Sequence, residues 1–265
     1  MWEQRYQFLK PRRSDTNIRY YCSAELKLLL DIALLNKAGY RISQINSLSV
    51  QQIRTTAGTM TDQSIVQENK VNELIGTMVD LDMEKFENLI SSYTATKGIE
   101  RAISDLIYPF LEKSGLLWSF GHLDPAGEQL VSNIIRQKLI VAIETTAPKE
   151  VKKKTILLFL PENDHHEIGL LYIYYSLTSR GYNTIYLGDN VPLDDLEHIV
   201  KLKKPDLILT HLIETTPAFK TDKYIQQLRK KIPGTKLIIS GKPGHPPRVW
   251  PENVVWSQSI EDILK

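Results

Sequence analysis

TILLFLPENDHHEIGLLYIYYSLTSRGY, residues 155–182, decides how the C-terminal part of the chain folds. TILLFL is an unbroken apolar run of strand length, the pattern of a strand buried on both faces. GLLYIYYSLTSRGY repeats apolar residues at helical spacing and stops at a glycine. Between them, PENDHHEI is short and polar and holds two adjacent histidines. A strand, a polar loop and a helix make half of a βαβ unit.

The pattern continues downstream. Strands are predicted at TIYLG (184–188), LILTHL (207–212), KLIISG (236–241) and NVVW (253–256). Helices are predicted at 166–181, 192–204 and 219–231. This alternation implies a doubly wound, Rossmann-like parallel sheet with helices on both faces over residues 150–265. Ligands of such sheets bind beyond the carboxyl ends of the strands, where the histidine loop lies.

Upstream, residues 65–147 read as helical almost throughout. The segments 71–81, 83–96, 98–115 and 125–145 each place apolar residues three and four apart, which favours a four-helix bundle. Residues 1–58 hold an extended stretch, FLKPRRSDTNIRYY, then an amphipathic helix over 23–39 with Ser23 as its cap and Gly39 as its stop. One further helix is expected over 43–56 and a polar linker over 56–64. The fold class is therefore multidomain, α and α/β.

Bulk properties narrow the function. No apolar run is long enough for a membrane span, and the first residues lack the apolar core of a secretion signal. The single cysteine, Cys22, excludes an internal disulfide and suits a reducing bacterial cytoplasm. Net charge is +2, yet residues 1–60 carry nine Lys/Arg against four Asp/Glu. A basic end on a slightly acidic body points to a polyanion contact.

Asp164-His165-His166-Glu167-Ile168-Gly169 contains DxHxxG. Imidazole ligates borderline transition metals, and a carboxylate two residues earlier can take the other ring N–H. The stretch resembles the cobalamin-binding signature shared by methionine synthase and the corrinoid-dependent mutases, in which SxL and then GG follow. Thr210-His211-Leu212 comes after forty intervening residues, and Ser240-Gly241 after a further twenty-seven. Threonine replaces serine and keeps the hydroxyl; serine replaces the first glycine. The resemblance implies that His166 takes the place of the cofactor's own nucleotide base on cobalt. It also implies that the displaced base enters a slot lined by the SxL and GG positions. His165 is expected to face solvent.

Residues 115–139 resemble the helical cap of cobalamin-binding photoreceptor regulators: Trp118, nine residues, then Glu128-Gln129. In that family the tryptophan covers the upper cobalt face, where an adenosyl group sits, and the glutamate contacts that group. The cofactor implied is thus cobalamin, as adenosylcobalamin. Gln129 departs from the family's histidine, which ligates cobalt after light removes the adenosyl group. A neutral amide is a poor replacement.

The basic end resembles the winged helix-turn-helix of MerR-type regulators, through WEQRY, KPRR, RYY and a helix ending KAGY. The resemblance implies that Arg5 and Tyr6 close a recognition helix. Lys10, Arg12, Arg13 and Arg19 become phosphate contacts, with Tyr20 packing the wing or touching phosphate. Family members carry about twenty residues before this tryptophan, so an N-terminal truncation and weakened, unselective binding to operator DNA are expected.

The reading is a non-enzymatic transcription regulator. A corrinoid controls its binding to double-stranded DNA and its self-association into dimers or tetramers. A corrinoid carrier subunit of a methyltransferase or mutase system is the rival, and a ligandless interaction module is the third possibility.

Overall fold

The computed structural model describes residues 12–13, 19–119, 125–148, 150–213, 220–242 and 249–257. Two compact units divide the chain, Met1–Ile134 and Ile135–Lys265.

The second unit is the predicted sheet. Its strands are β3 (Thr155–Pro161), β4 (Asn183–Val191), β5 (Leu207–Ile213), β6 (Lys236–Lys242) and β7 (Val254–Ser257). They lie in the order β4-β3-β5-β6-β7, each paired in parallel with its neighbour. The connecting helices are α9 (Glu167–Ser179), α10 (Leu193–Lys203) and α11 (Thr221–Lys231). Leu170, Ile173 and Leu177 of α9 pack on Ile156, Leu158, Leu160, Leu207, Leu209 and Ile238. The opposite face carries Leu196 and Val200 of α10 and Ile225 and Leu228 of α11, against Leu157, Phe159, Ile208, Leu212 and Ile239. Each fully buried Leu or Ile side chain stabilises such a core by about 1.5–3 kcal/mol.

This strand order puts a topological switch point between β3 and β5. The connection leaving β3 runs to one side, toward β4, and the later strands extend to the other. A crevice opens at the carboxyl ends of those two strands. Neighbouring strand residues face opposite ways. His211 and Ser240 therefore share the α9 face with Leu207, Leu209 and Ile238, whereas Thr210 shares the other face with Ile208 and Leu212.

Among the described residues, the first unit is helical apart from a two-residue antiparallel pair, β1 (Arg12–Arg13) with β2 (Arg19–Tyr20). Helices follow at α1 (Ser23–Lys37), α2 (Ile42–Asn46), α3 (Val50–Gly58), α4 (Gln63–Val79), α5 (Met83–Lys97) and α6 (Ile99–Arg101). A π-helical segment (Ala102–Ile107) then leads into α7 (Tyr108–Ser119). α8 (Pro125–Thr145) runs through the boundary between the units. Leu28, Ile32, Leu34, Leu35, Ile45, Ile53, Ala57 and Ile65 form one cluster of the core. Phe86 and Phe110 meet edge to face, with ring centroids 5.2 Å apart.

Helices form at all four expected places in 65–147, but three local expectations fail. The helix expected over 43–56 is two, because Ser49 caps α3: its hydroxyl accepts from the Gln52 N–H at 3.3 Å, and its own N–H donates to Gln52 Oε1 at 2.8 Å. The linker expected over 56–64 is short. α3 continues to Gly58, and the Asp62 carboxylate starts α4 by accepting from Ser64 and Ile65 N–H at 2.9 and 3.2 Å. Finally, Cys22 rather than Ser23 is the cap of α1, with its N–H donating to the Glu25 carboxylate at 2.8 Å. Gly39, at φ +96°, does follow that helix.

Candidate functional site

The loop after β3 is built around one carboxylate. Asp164 Oδ1 accepts from the backbone N–H of His166 and lies within hydrogen-bond distance of its Nδ1, each at 3.0 Å. His166 is the N-cap residue of α9, and its side chain is 48% exposed while that of Asp164 is 14% exposed. When Nδ1 carries the proton toward Asp164, Nε2 holds the lone pair that a metal would take. The loop is braced from the end of β4. Asn163, in the left-handed region at φ +66°, donates its N–H to Asn190 Oδ1 at 2.9 Å. Asn190 N–H in turn donates to the Asp164 carbonyl at 3.1 Å.

Beside this loop lies a second histidine. The His211 ring stands between the first turn of α9 and the end of β6, with Nδ1 2.9 Å from Ser240 Oγ. A Cβ on Gly169 would lie 2.4 Å from both Cδ2 and Nε2 of this ring. A Cβ on Gly241, at φ +87°, would lie 2.4 Å from the Leu212 carbonyl oxygen and 3.1 Å from His211 Cε1. The two glycines thus leave a cradle about one aromatic ring deep, and the chain's own imidazole fills it. Burial pushes the pKa of His211 down to about 4, opposed only in part by the Asp164 charge.

Other side chains hold the frame. Glu167, on the first turn of α9, pairs with Arg136 and accepts from the Tyr186 hydroxyl at 3.1 Å. Burial and the adjacent carboxylate push the Tyr186 pKa upward. Tyr186 stacks on Tyr174, with centroids 4.9 Å apart. His165 is exposed, and its Nδ1 lies 2.6 Å from Asp189 Oδ2. Trp256 Nε1 donates to the Gly241 carbonyl at 3.2 Å, tying the edge strand to the cradle.

Within the second unit, the positions singled out in the sequence do not all converge. Asp164, His166, Gly169, Ser240 and Gly241 gather at the carboxyl edge on the α9 side. Thr210 and Leu212 face the other side of the sheet, and the buried Thr210 hydroxyl has no hydrogen-bond partner among the described residues. Glu128 is half-buried and Gln129 exposed on α8, in the first unit. Trp118 belongs to α7 by its backbone, and its side chain lies outside the described residues. So do Arg5, Tyr6 and Lys10; Arg12, Arg13, Arg19 and Tyr20 are described only as the backbone of the β1–β2 pair. Sequence reading gave no role to His211, Arg136 or Tyr186. The signal for His211 was present: it is a second polar residue in an otherwise apolar buried strand.

Residues 154–257 match the family model described as the B12 binding domain, so the sheet unit is similar to domains of that class. Most of the chain is similar to two HTH-type transcriptional repressors. It is 25% identical over 247 residues, covering 91% of this chain and 82% of its counterpart, to the HTH-type transcriptional repressor CarH of Myxococcus xanthus. It is 26% identical to the HTH-type transcriptional repressor CarA of the same organism over 209 residues, covering 78% of this chain and 68% of that protein. Neither relative is named as an enzyme. The fold matches the structure of the Methanosarcina barkeri monomethylamine corrinoid protein with a TM-score of 0.57 and 15% identity, over 74% of this chain and 95% of that one. Among the described residues, no helix is long and apolar enough to cross a membrane.

A corrinoid would ask two things of such a site: a nitrogen donor for its cobalt, and room for its appended nucleotide. The Asp164–His166 pair fits the first. It is an oriented imidazole at the switch point, of a donor type suited to cobalt. The glycine cradle has the depth for a flat base, and His211 lies in it.

Proposed function

We propose that this chain is a corrinoid-responsive transcription regulator, in which cobalamin held at the carboxyl edge of the sheet controls self-association and DNA binding. The observation that carries the reading is the His166 imidazole, oriented by Asp164 at the switch point of a B12 binding domain. Asp164 would hold the proton on Nδ1 and leave His166 Nε2 as the nitrogen that would bind the cobalt of a corrinoid. When bound, the corrinoid supplies a cobalt centre whose upper ligand is exchangeable. Trp118 and Glu128 are proposed to cover the upper face, and adenosylcobalamin is the proposed form. The amide of Gln129 would be a poor cobalt ligand, so that position would supply no second nitrogen donor.

Regulation then follows from avidity. Wing cations Lys10, Arg12, Arg13 and Arg19 give each copy a weak, phosphate-directed grip, and pairing of copies multiplies it. The test is an absorbance titration with hydroxo-, methyl- and adenosylcobalamin, run with sedimentation velocity in the dark and after illumination. A coloured complex that shifts to higher mass, and whose spectrum changes on His166→Ala, supports the proposal. A colourless protein with every corrinoid refutes it. Colour without any change in mass or DNA affinity assigns the chain to the carrier class instead.

A further inference from the structure

We propose that His211 is a built-in occupant of the cradle between Gly169 and Gly241, so that this site favours corrinoids lacking the lower nucleotide over complete cobalamins. The inference rests on the corrinoid reading above and adds a selectivity to it.

Depth is the first ground. A single methyl carbon on Gly169 would meet the His211 ring at 2.4 Å, a separation that real carbon contacts do not show. The layer therefore holds one flat ring and not two. Position is the second. Gly169 lies three residues beyond His166 on the same helix start, so the cradle adjoins the proposed cobalt ligand. Once His166 takes the cobalt, a complete cobalamin has a displaced heteroaromatic base to accommodate. A flat, glycine-walled layer at the sheet edge is the place such a ring would fit.

Retention is the third ground. His211 is held as well as present: Nδ1 lies 2.9 Å from Ser240 Oγ, and that hydroxyl also lies 3.3 Å from the Thr210 carbonyl. Ser240 is buried, so expelling the imidazole breaks a hydrogen bond out of bulk water's reach. A glycine at position 240 would supply no such anchor. The base of a complete cobalamin must displace His211 or stay in solvent, and in either case its contribution to binding is lost or reduced. A corrinoid without a nucleotide meets no such competition.

The experiment measures dissociation constants by absorbance for hydroxocobalamin and for cobinamide, which has the same corrin and cobalt but no nucleotide. Wild type is expected to bind cobinamide at least as tightly as hydroxocobalamin. His211→Gly should tighten hydroxocobalamin at least tenfold and leave cobinamide within about twofold. His211→Phe, which refills the cradle, should keep the wild-type ratio. Ser240→Ala should move the ratio the same way as His211→Gly and serves if that variant fails to fold by circular dichroism. A wild type that prefers hydroxocobalamin tenfold, with a ratio untouched by either substitution, overturns the proposal while leaving corrinoid binding intact. If no variant binds either compound, the corrinoid reading falls and this proposal with it.

Discussion

At the scale of single residues, His211 governs how this protein responds to acid. Its folded pKa is depressed, to about 4 from an ordinary 6.5. Between those values the unfolded chain takes up a proton that the folded chain refuses, so stability falls as pH drops from 6.5 toward 4. The contribution is fully present above pH 6.5 and is at most about 3 kcal/mol, less because the ring is only partly buried. Urea midpoints for the wild type should decline over that window. For His211→Phe the decline should be shallower; parallel curves would deny His211 this role. The same ring makes a second prediction. Gly169→Ala forces a methyl into it and should cost about 1–3 kcal/mol. In a His211→Gly background the same change should cost much less. Additive costs in this double-mutant cycle would mean that the two residues do not meet.

At the scale of elements, much was legible, and what was missed was missed for physical reasons. The strand and helix limits of the second unit lie close to their expected positions, because long apolar runs between Gly, Pro and charged breakers admit few readings. What could not be read was the facing of β5. LILTHLI is buried on both sides, so no alternation of apolar and polar residues marks which face His211 or Thr210 takes. Its meeting with Gly169 depends on packing between elements far apart in sequence.

The α3 start is legible in the sequence, since Ser49-Val50-Gln51-Gln52 spells a capping box. Ser49→Ala should lower stability by about 1 kcal/mol, read by chemical denaturation. The π-helical segment has no sequence signal, and one of its carbonyls is met by a side chain from another helix. The Gln67 side-chain amide donates to the Asp105 carbonyl, and Tyr93 OH donates to Gln67 Oε1 at 2.9 Å. Gln67→Leu removes both bonds, leaves Tyr93 OH only its 3.5 Å contact with Asp105 Oδ2, and should cost about 1–3 kcal/mol, with faster amide exchange confined to residues 102–107. Unchanged exchange there would show that the segment holds its shape without this contact.

At the scale of the whole molecule, the question is whether the sheet unit and the basic N-terminal end act as one device. Chemistry divides between them: the oriented imidazole belongs to residues 135–265, and the excess of cations belongs to residues 1–60. Coupling between two such sites is a free energy, and for binding equilibria it is reciprocal. If a corrinoid raises DNA affinity by some factor, DNA must raise corrinoid affinity by that same factor. A regulator that works through pairing therefore makes a paired prediction. Measured at one salt concentration, the corrinoid dissociation constant should fall in the presence of saturating duplex. The DNA dissociation constant should fall equally in saturating corrinoid, by about 5- to 150-fold in the usual range of allosteric coupling. His166→Ala should abolish both shifts together and leave corrinoid-free DNA binding unchanged. Replacing Arg12 and Arg13 by alanine should weaken DNA binding and flatten its salt dependence by about 0.9 in log–log slope per lost phosphate contact, without touching corrinoid affinity measured alone. A corrinoid affinity indifferent to DNA, in a protein that binds both, would mean two sites sharing a chain rather than a switch.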